Sequence, residues 1–337
     1  MAVHPLPHSA ATPSAHVDGA PRLPMELFEL TPPRPAEEFD ARRPPQETNH
    51  HTYVIRDHKM AVPFKFLRAA GDGAAKRPRL LLLHGMGLHI ASFRGLARWL
   101  LPERDLILVD YTCFGIADGW PRGGVAIEEL VRLCMRVPTA LGIAQLDIGG
   151  ASLGGGMALM AALDFPTLVR RVVLWNPAIF PQALPPLYRV VRIPVLGELV
   201  MSLMPARRLV DGIRYGGYAN PQRADPELLA IYGQTMGRRR NRLRLLDIIR
   251  RLPTRSPAID RYLQRARQLF QPVLLIWGEQ ERLLPADAGE RLRRLLPRVE
   301  YRGFADLCHL SGEEAPDRIG PVVVEFLRRQ LPEANSQ

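Results

Sequence analysis

From Thr52 onward, short unbroken apolar runs alternate with stretches whose apolar residues recur every three to four positions. Tyr53-Val54-Ile55 and Phe64-Lys65-Phe66-Leu67 predict a first antiparallel pair. Leu80 to Leu83, Leu106 to Val109, Leu146 to Ala151, Val172 to Trp175, Val273 to Trp277 and Val299 to Tyr301 read as strands. The unbroken apolar runs among them, Leu80 to Leu83 and Leu106 to Val109, suit strands buried on both faces. Between them, Ile90 to Leu101, Ala126 to Leu141, Leu153 to Leu163, Ala286 to Leu296 and Ile319 to Leu331 follow the helical period. Strand and helix in turn predict a mostly parallel sheet with helices on both faces.

The alternation breaks twice. Residues 1–50 are rich in Pro, Ala and His and have no sustained period, which predicts a disordered or loosely packed extension. Within it, Met25 to Leu30 could dock as a short element. Residues 181–269 also show no βα unit. They hold helical stretches such as Leu228 to Met236 and Leu243 to Arg251, and read as a helical cap inserted into a core of residues 51–180 and 270–332. A block of this kind over a sheet behaves as a lid.

The chemistry concentrates at strand ends. Gly150-Ala151-Ser152-Leu153-Gly154 is a G-x-S-x-G sequence between a predicted strand and a predicted helix. That context is a sharp turn which lifts a serine hydroxyl clear of a sheet, and glycines relieve its crowding. Ser152 is the candidate nucleophile, at a helix start that favours developing negative charge. His309, after the last predicted strand, is the candidate general base. Glu281, after Trp277-Gly278, is the first choice for the carboxylate that orients the imidazole, with Glu279 and Asp287 as alternatives. The order serine, acid, histidine suits such a triad. The oxyanion donors are expected to be the backbone N–H of Leu153 and that of Met86, in His84-Gly85-Met86-Gly87. His84 itself is expected to brace that loop. A metal site at His84 and His89 lacks a third nearby ligand in the sequence.

Together, His84 to Gly87, the loop from Asp110 to Gly115, Gly150 to Gly154, the Trp277 to Pro285 block, and His309 with Glu314-Ala315-Pro316 resemble the α/β-hydrolase family over about Tyr53 to Leu331. The resemblance is nearest to capped serine hydrolases: esterases, carbon–carbon bond hydrolases and cofactor-free haloperoxidases. It implies an α/β-hydrolase fold with an eight-stranded, mostly parallel sheet, an inserted helical cap, and no cofactor. It also implies cleavage of an ester, thioester or related acyl bond of a small, largely apolar substrate through an acyl-serine. Acyl transfer, carbon–carbon bond hydrolysis, or a binding protein with an inactive site would use the same scaffold. The chain departs from the family in having Glu281 where Asp is usual, Cys308 where Gly often precedes the histidine, and Thr112-Cys113-Phe114-Gly115 where the loop usually reads Pro-Gly-x-Gly. Cys113 is therefore a candidate for lining or supporting the pocket.

Composition narrows the picture further. The 337 residues are 47% hydrophobic, enough for a sizeable core. Three cysteines without paired spacing argue against a disulfide framework and fit a reducing, cytoplasmic setting. No basic start followed by an apolar run marks a secretory signal, and no stretch is long and apolar enough to span a bilayer. The net charge of +11 is nearly all arginine. No aromatic-interleaved basic motif appears, so nucleic acid is not an expected partner. The run from Arg238 to Arg244 leaves a peripheral membrane contact through the basic cap open, and the oligomeric state is not legible. The apolar cap residues Leu184, Leu187, Tyr188, Val195, Leu196, Leu199, Met201, Leu203 and Met204 are expected to line a substrate pocket or to form the cap's own core.

Overall fold

The sheet is built from β1 (Glu37–Glu38), β2 (Tyr53–Arg56), β3 (Ala61–Leu67), β4 (Arg79–Leu83), β5 (Asp105–Val109), β6 (Leu146–Ala151), β7 (Val169–Trp175), β8 (Val273–Gly278) and β9 (Val299–Phe304). The computed structural model describes residues 23, 25–28, 37–38, 52–56, 61–68, 77–112, 125–181, 186–252 and 257–330. The strands lie in the order β1-β2-β3-β5-β4-β6-β7-β8-β9. The pairs β2–β3 and β3–β5 are antiparallel and the others are parallel. These are the eight expected strands plus the two-residue β1.

The four leucines of β4 show how the layers form. Leu81 and Leu83 point into one core layer, Leu80 and Leu82 into the other, and all four are fully buried. Each such leucine contributes about 1.5–3 kcal/mol relative to exposure. One face of the sheet is covered by α1 (Arg94–Leu100) and α12 (Pro316–Arg328), through Leu96, Leu100, Ile319 and Val323. The other is covered by α2 (Ile127–Ala140), α3 (Leu153–Asp164) and α10 (Ala288–Leu295). The helix expected from Ile90 begins instead as a single 3-10 turn, Ile90–Phe93, whose first turn is capped by His89 Nδ1 accepting the Ala91 N–H at 3.2 Å. A 3-10 turn at Met25–Phe28 docks on the α1 face, with Leu27 and Phe28 buried.

The described residues between β7 and β8 form six α-helices, not just the two stretches that the apolar period singled out. They are α4 (Pro186–Val191), α5 (Leu196–Leu203), α6 (Ala206–Gly217), α7 (Pro226–Gly237), α8 (Arg239–Arg251) and α9 (Pro257–Ala266). Three begin on proline, which is pre-set for a first helical turn. The arginines that obscure the apolar period are themselves good helix formers. The densest basic run does not simply face solvent. Arg242 turns inward and donates to the carbonyls of Met201, Ser202, Met236 and Gly237, locking α5, α7 and α8 together.

Two buried acidic clusters tie the parts together. Asp147, fully buried on β6, lies 3.4 Å from Arg104, 3.1 Å from Arg170 and 3.4 Å from Arg171. On α11 (Ser311–Glu314), Glu313 accepts from the hydroxyls of Tyr218, just after α6, at 2.5 Å and Tyr232 of α7 at 2.8 Å. Its neighbour Glu314 accepts from the backbone N–H groups of Ala219, Asn220 and Cys308, so one turn clamps the insertion to the loop after β9. Burial raises the Glu313 carboxyl to about 7 despite the two tyrosine hydrogen bonds, which act in the opposite direction.

Each cluster has a measurable consequence. Asp147→Asn leaves three arginines around a neutral amide and is expected to destabilise the fold by about 3–5 kcal/mol, read by urea denaturation. For Glu313, the folded carboxyl holds its proton to a higher pH than the unfolded one. Its contribution is therefore fully present below about pH 4.5 and lost as pH rises through about 7. Between about pH 5 and about pH 8 the thermal midpoint of Glu313→Gln is expected to fall less than that of the wild type.

Candidate active site

The register of the parallel strands decides which residues emerge side by side. Leu83 pairs with Gly150, Ala151 with Trp175, Trp175 with Ile276, and Gly278 with Phe304. The residues that follow these ends leave the sheet along one carboxyl edge, where ligands bind in sheets of this kind. They are the His84–Gly87 loop, Ser152, Asn176, the segment from Glu279 to Leu284, and the loop that carries His309.

Ser152 sits between β6 and α3 with φ 53° and ψ −120°. This is the left-handed side of backbone space, which a non-glycine residue occupies only under constraint. The constraint is visible. Ser152 N–H donates to the Trp175 carbonyl at 2.9 Å, and its own carbonyl accepts from Gly156 at 3.0 Å and Ala178 at 2.8 Å. Gly150 and Gly154 make the bend passable: a Cβ on the first would run into the backbone of Gly154, and one on the second into the carbonyls of Leu83 and His84. A Cβ on Gly85 would stand 3.3 Å from that of Ser152, so the loop after β4 lies directly against the serine. Leu153 opens α3, where the first backbone N–H groups have no acceptor within the helix.

His84 is bracing, not reactive, in its contacts. Its ring stacks on Tyr111 with 4.5 Å between centroids, Nδ1 lies 2.8 Å from the Gly85 carbonyl, and Nε2 lies 3.3 Å from Asp110. Burial raises the Asp110 carboxyl, but the hydrogen bond and charge of His84, with help from His89 and Thr112, hold it below its ordinary value. Burial pushes the neighbouring His89 down to about 4. Among the described residues, no three His, Cys, Asp or Glu side chains are placed to hold a metal ion. Cys113 lies outside the described residues; Cys134 and Cys308 are both buried.

Glu281 and His309 meet across the ends of β8 and β9. His309 Nδ1 is 2.7 Å from Glu281 Oε2, with side chains 5% and 1% exposed. An ionised carboxylate only accepts, so Nδ1 is the donor in this hydrogen bond. Burial raises the Glu281 carboxyl, yet the charge and hydrogen bond of His309, with those of Leu283 and Asn176, outweigh it and hold the group ionised below its ordinary value. Oε1 accepts from the N–H groups of Leu283 at 2.7 Å and Leu284 at 3.2 Å. Glu279 and Asp287 are exposed, and neither contacts His309 among the described hydrogen bonds and ion pairs. Cys308 fits because its thiol points away from the site, with Sγ 2.9 Å from the Gln280 carbonyl. Its backbone lies on Gly278, where a Cβ would strike the Cys308 carbonyl.

Asn176 is the residue that sequence reasoning passed over. It follows β7 with φ 39°, a left-handed conformation that Asn tolerates better than most residues. Its Nδ2 donates to Glu281 Oε2 at 2.8 Å and to the Gly278 carbonyl at 3.2 Å, and its Oδ1 accepts the Gly278 N–H at 3.0 Å. One side chain thus ties the ends of β7 and β8 and holds the longer carboxylate in place. The available signal was its position directly after a buried strand, in Trp175-Asn176-Pro177.

Of the apolar residues expected to line a pocket or fill the insertion, Met201 is buried, whereas Val195, Leu196, Leu199 and Leu203 face solvent. The side chains of Leu184, Leu187 and Tyr188 lie outside the described residues. An apolar pocket does open beside Leu153, lined by Met157, Met160, Ile179, Phe180 and Ile259 among others.

Residues 78–193 match the sequence family described as alpha/beta hydrolase fold. The chain is 25% identical over 295 residues to a 2-hydroxy-6-oxononadienedioate/2-hydroxy-6-oxononatrienedioate hydrolase of Burkholderia vietnamiensis, covering 81% of this chain and 98% of that one. It is 25% identical over 266 residues to the uncharacterized hydrolase YugF of Bacillus subtilis, covering 75% and 90%. The enol-lactonase from Burkholderia xenovorans superposes with a TM-score of 0.68 at 18% identity, covering 82% of this chain and all of that one. Its sheet order, its strained serine turn after β6 and these likenesses show that the chain has the α/β-hydrolase fold.

Proposed function

We propose that the protein is a serine hydrolase that cleaves an ester, thioester or related acyl bond through an acyl-serine. The observation that carries this reading is the Glu281–His309 hydrogen bond at 2.7 Å, made on the same sheet edge from which the strained Ser152 turn projects. In this reading His309 Nε2 takes the Ser152 proton as Oγ attacks the acyl carbon, and the imidazolium formed is stabilised by Glu281. The tetrahedral oxyanion is held by the N–H groups of Leu153 and Met86. His309 then protonates the leaving group, and water repeats the sequence to free the acid. The inserted helices act as the cap. The pocket beside Leu153 has no charged side chain in its lining, which supports an apolar acyl group.

A second reading, hydrolysis of a carbon–carbon bond next to a carbonyl, is favoured by the name of the Burkholderia vietnamiensis relative. It uses the same three side chains with a carbon leaving group.

Three outcomes are expected. A fluorophosphonate probe labels the wild type and not Ser152→Ala, read by gel fluorescence; equal labelling removes the serine from the mechanism. Glu281→Gln keeps the fold but loses roughly 10⁴-fold in kcat on a p-nitrophenyl ester, because the imidazole no longer has the correct tautomer. Glu281→Asp withdraws the carboxylate by one methylene and is expected to cost about 10²-fold, the scale of a misplacement near 1 Å. A series of p-nitrophenyl esters of rising chain length, run beside a 2-hydroxy-6-oxo-dienoate, separates the two readings.

A further inference from the structure

A helix packed on a protein surface ordinarily shows one apolar face and one polar face. α5 shows two apolar faces. Gly197 and Met201 point inward, and Met201 packs with Leu245, Leu246 and Ile249 of α8. On the opposite side Leu196, Leu199 and Leu203 follow the same helical row and stand in solvent, Leu199 at 54% and Leu203 at 72% exposed. The turn before them extends the ridge through Ile193 and Val195, the latter 79% exposed. Val195 has φ 66°, a conformation that a β-branched residue seldom adopts, and it thrusts the side chain outward at the tip. Nothing in the described chain covers this ridge.

Its surroundings are cationic. Residues 181–269 hold 17 arginines against 6 acidic residues, while the rest of the chain holds 28 basic and 28 acidic residues. The whole +11 excess therefore falls between residues 181 and 269 of the sequence. Arg239 Nε bonds Ser202 Oγ at 2.9 Å, which sets a guanidinium beside Leu199 and Leu203. Arg192 precedes the ridge, and Arg207 and Arg208 follow it, Arg207 with its side chain 91% exposed. The acidic residues nearest the ridge in sequence are both engaged, Glu198 with Arg250 and Asp211 at 3.8 Å from Arg207.

We propose that this ridge seats the protein on an anionic lipid bilayer surface. The exposed leucines and Val195 enter the boundary between headgroups and acyl chains, and the arginines pair with lipid phosphates. No described helix is long and apolar enough to cross a membrane, so the contact is peripheral. The charge also argues against a second copy as the occupant, because two such faces would bring arginine against arginine. The ridge connects to the candidate site through one layer of packing: α5 rests on α8, and Leu245 of α8 lies within 3.6 Å of a Cβ placed on Gly87, in the loop against Ser152. Docking therefore places the insertion between the bilayer and the serine, where an apolar acyl substrate is most concentrated.

The test uses the full chain and sedimentation with vesicles of phosphatidylcholine alone or with phosphatidylglycerol added. The wild type is expected to bind the phosphatidylglycerol vesicles and to release as NaCl rises from about 0.1 to about 0.5 M. Leu199→Asp with Leu203→Asp is expected to weaken partition more than about tenfold, while thermal midpoint and fluorophosphonate labelling in solution stay as in the wild type. Arg207→Gln and Arg239→Gln are each expected to weaken it about fivefold. Ser152→Ala is expected to bind as the wild type does, so the result is independent of the hydrolase reading. Wild-type protein that ignores phosphatidylglycerol, or a double variant that binds as well as the wild type, overturns the proposal. So does a wild-type dimer that the double variant converts to monomer in analytical ultracentrifugation, since a second copy would then be the occupant.

Discussion

The backbone at Ser152 is held in a conformation that it would not choose, and the surrounding architecture is organised around keeping it there. Its N–H and carbonyl are claimed by Gly156 of α3 and by Trp175 and Ala178, at and just after the end of β7. Relaxing the turn would require β6, β7 and α3 to give way together. Gly150, Gly154 and Gly156 are consequences of the same constraint, since each sits where another stretch of backbone passes too closely for a side chain. Strain of this kind persists only where rigid elements over-determine it. The buried leucine layers of β4 and its neighbours provide that rigidity.

A second set of bonds turns neighbouring strand ends into one unit. Asn176 reaches from β7 to both the backbone and the carboxylate that follow β8, and the same carboxylate receives His309 from beyond β9. A glutamate is one methylene longer than the residue usual in this fold. Here its second oxygen is anchored by Leu283 and Leu284, so the added length is absorbed without freeing the end that meets the imidazole. The ring is oriented by a group that is itself immobilised, which is what a base needs if its reactive nitrogen is to point in one direction.

Much of this was legible in the chain because buried parallel strands write themselves as unbroken apolar runs. Leu80 to Leu83 and Val273 to Trp277 are such runs. The serine turn was legible because a bend too crowded for side chains must surround its one hydroxyl with glycine, as Gly150 to Gly154 does. Asn176 was hidden because a single polar residue after a strand has no period and no motif; only the register of β7 against β8 reveals its reach. The apolar residues from Val195 to Leu203 were hidden for another reason. Periodicity shows that a helix has apolar residues, but in a helix apolar on two sides it does not say which side meets the protein. The arginines of residues 186–251 masked helices in the same way, since a face written in long basic side chains gives little apolar rhythm.

The order in which the polypeptide is made adds a last consequence. The strained turn at Ser152 belongs to the first half of the chain, whereas the carboxylate and the imidazole lie near its end, separated from the turn by α3, β7 and the helices α4 to α9. During synthesis the hydroxyl is therefore displayed long before any partner for it exists. The two final strands of the sheet, β8 and β9, must dock beside β7 before the three groups share an edge. In the proposed mechanism turnover is thereby tied to completion of the sheet, and a half-made or half-unfolded chain would carry an inert alcohol in place of a reactive one.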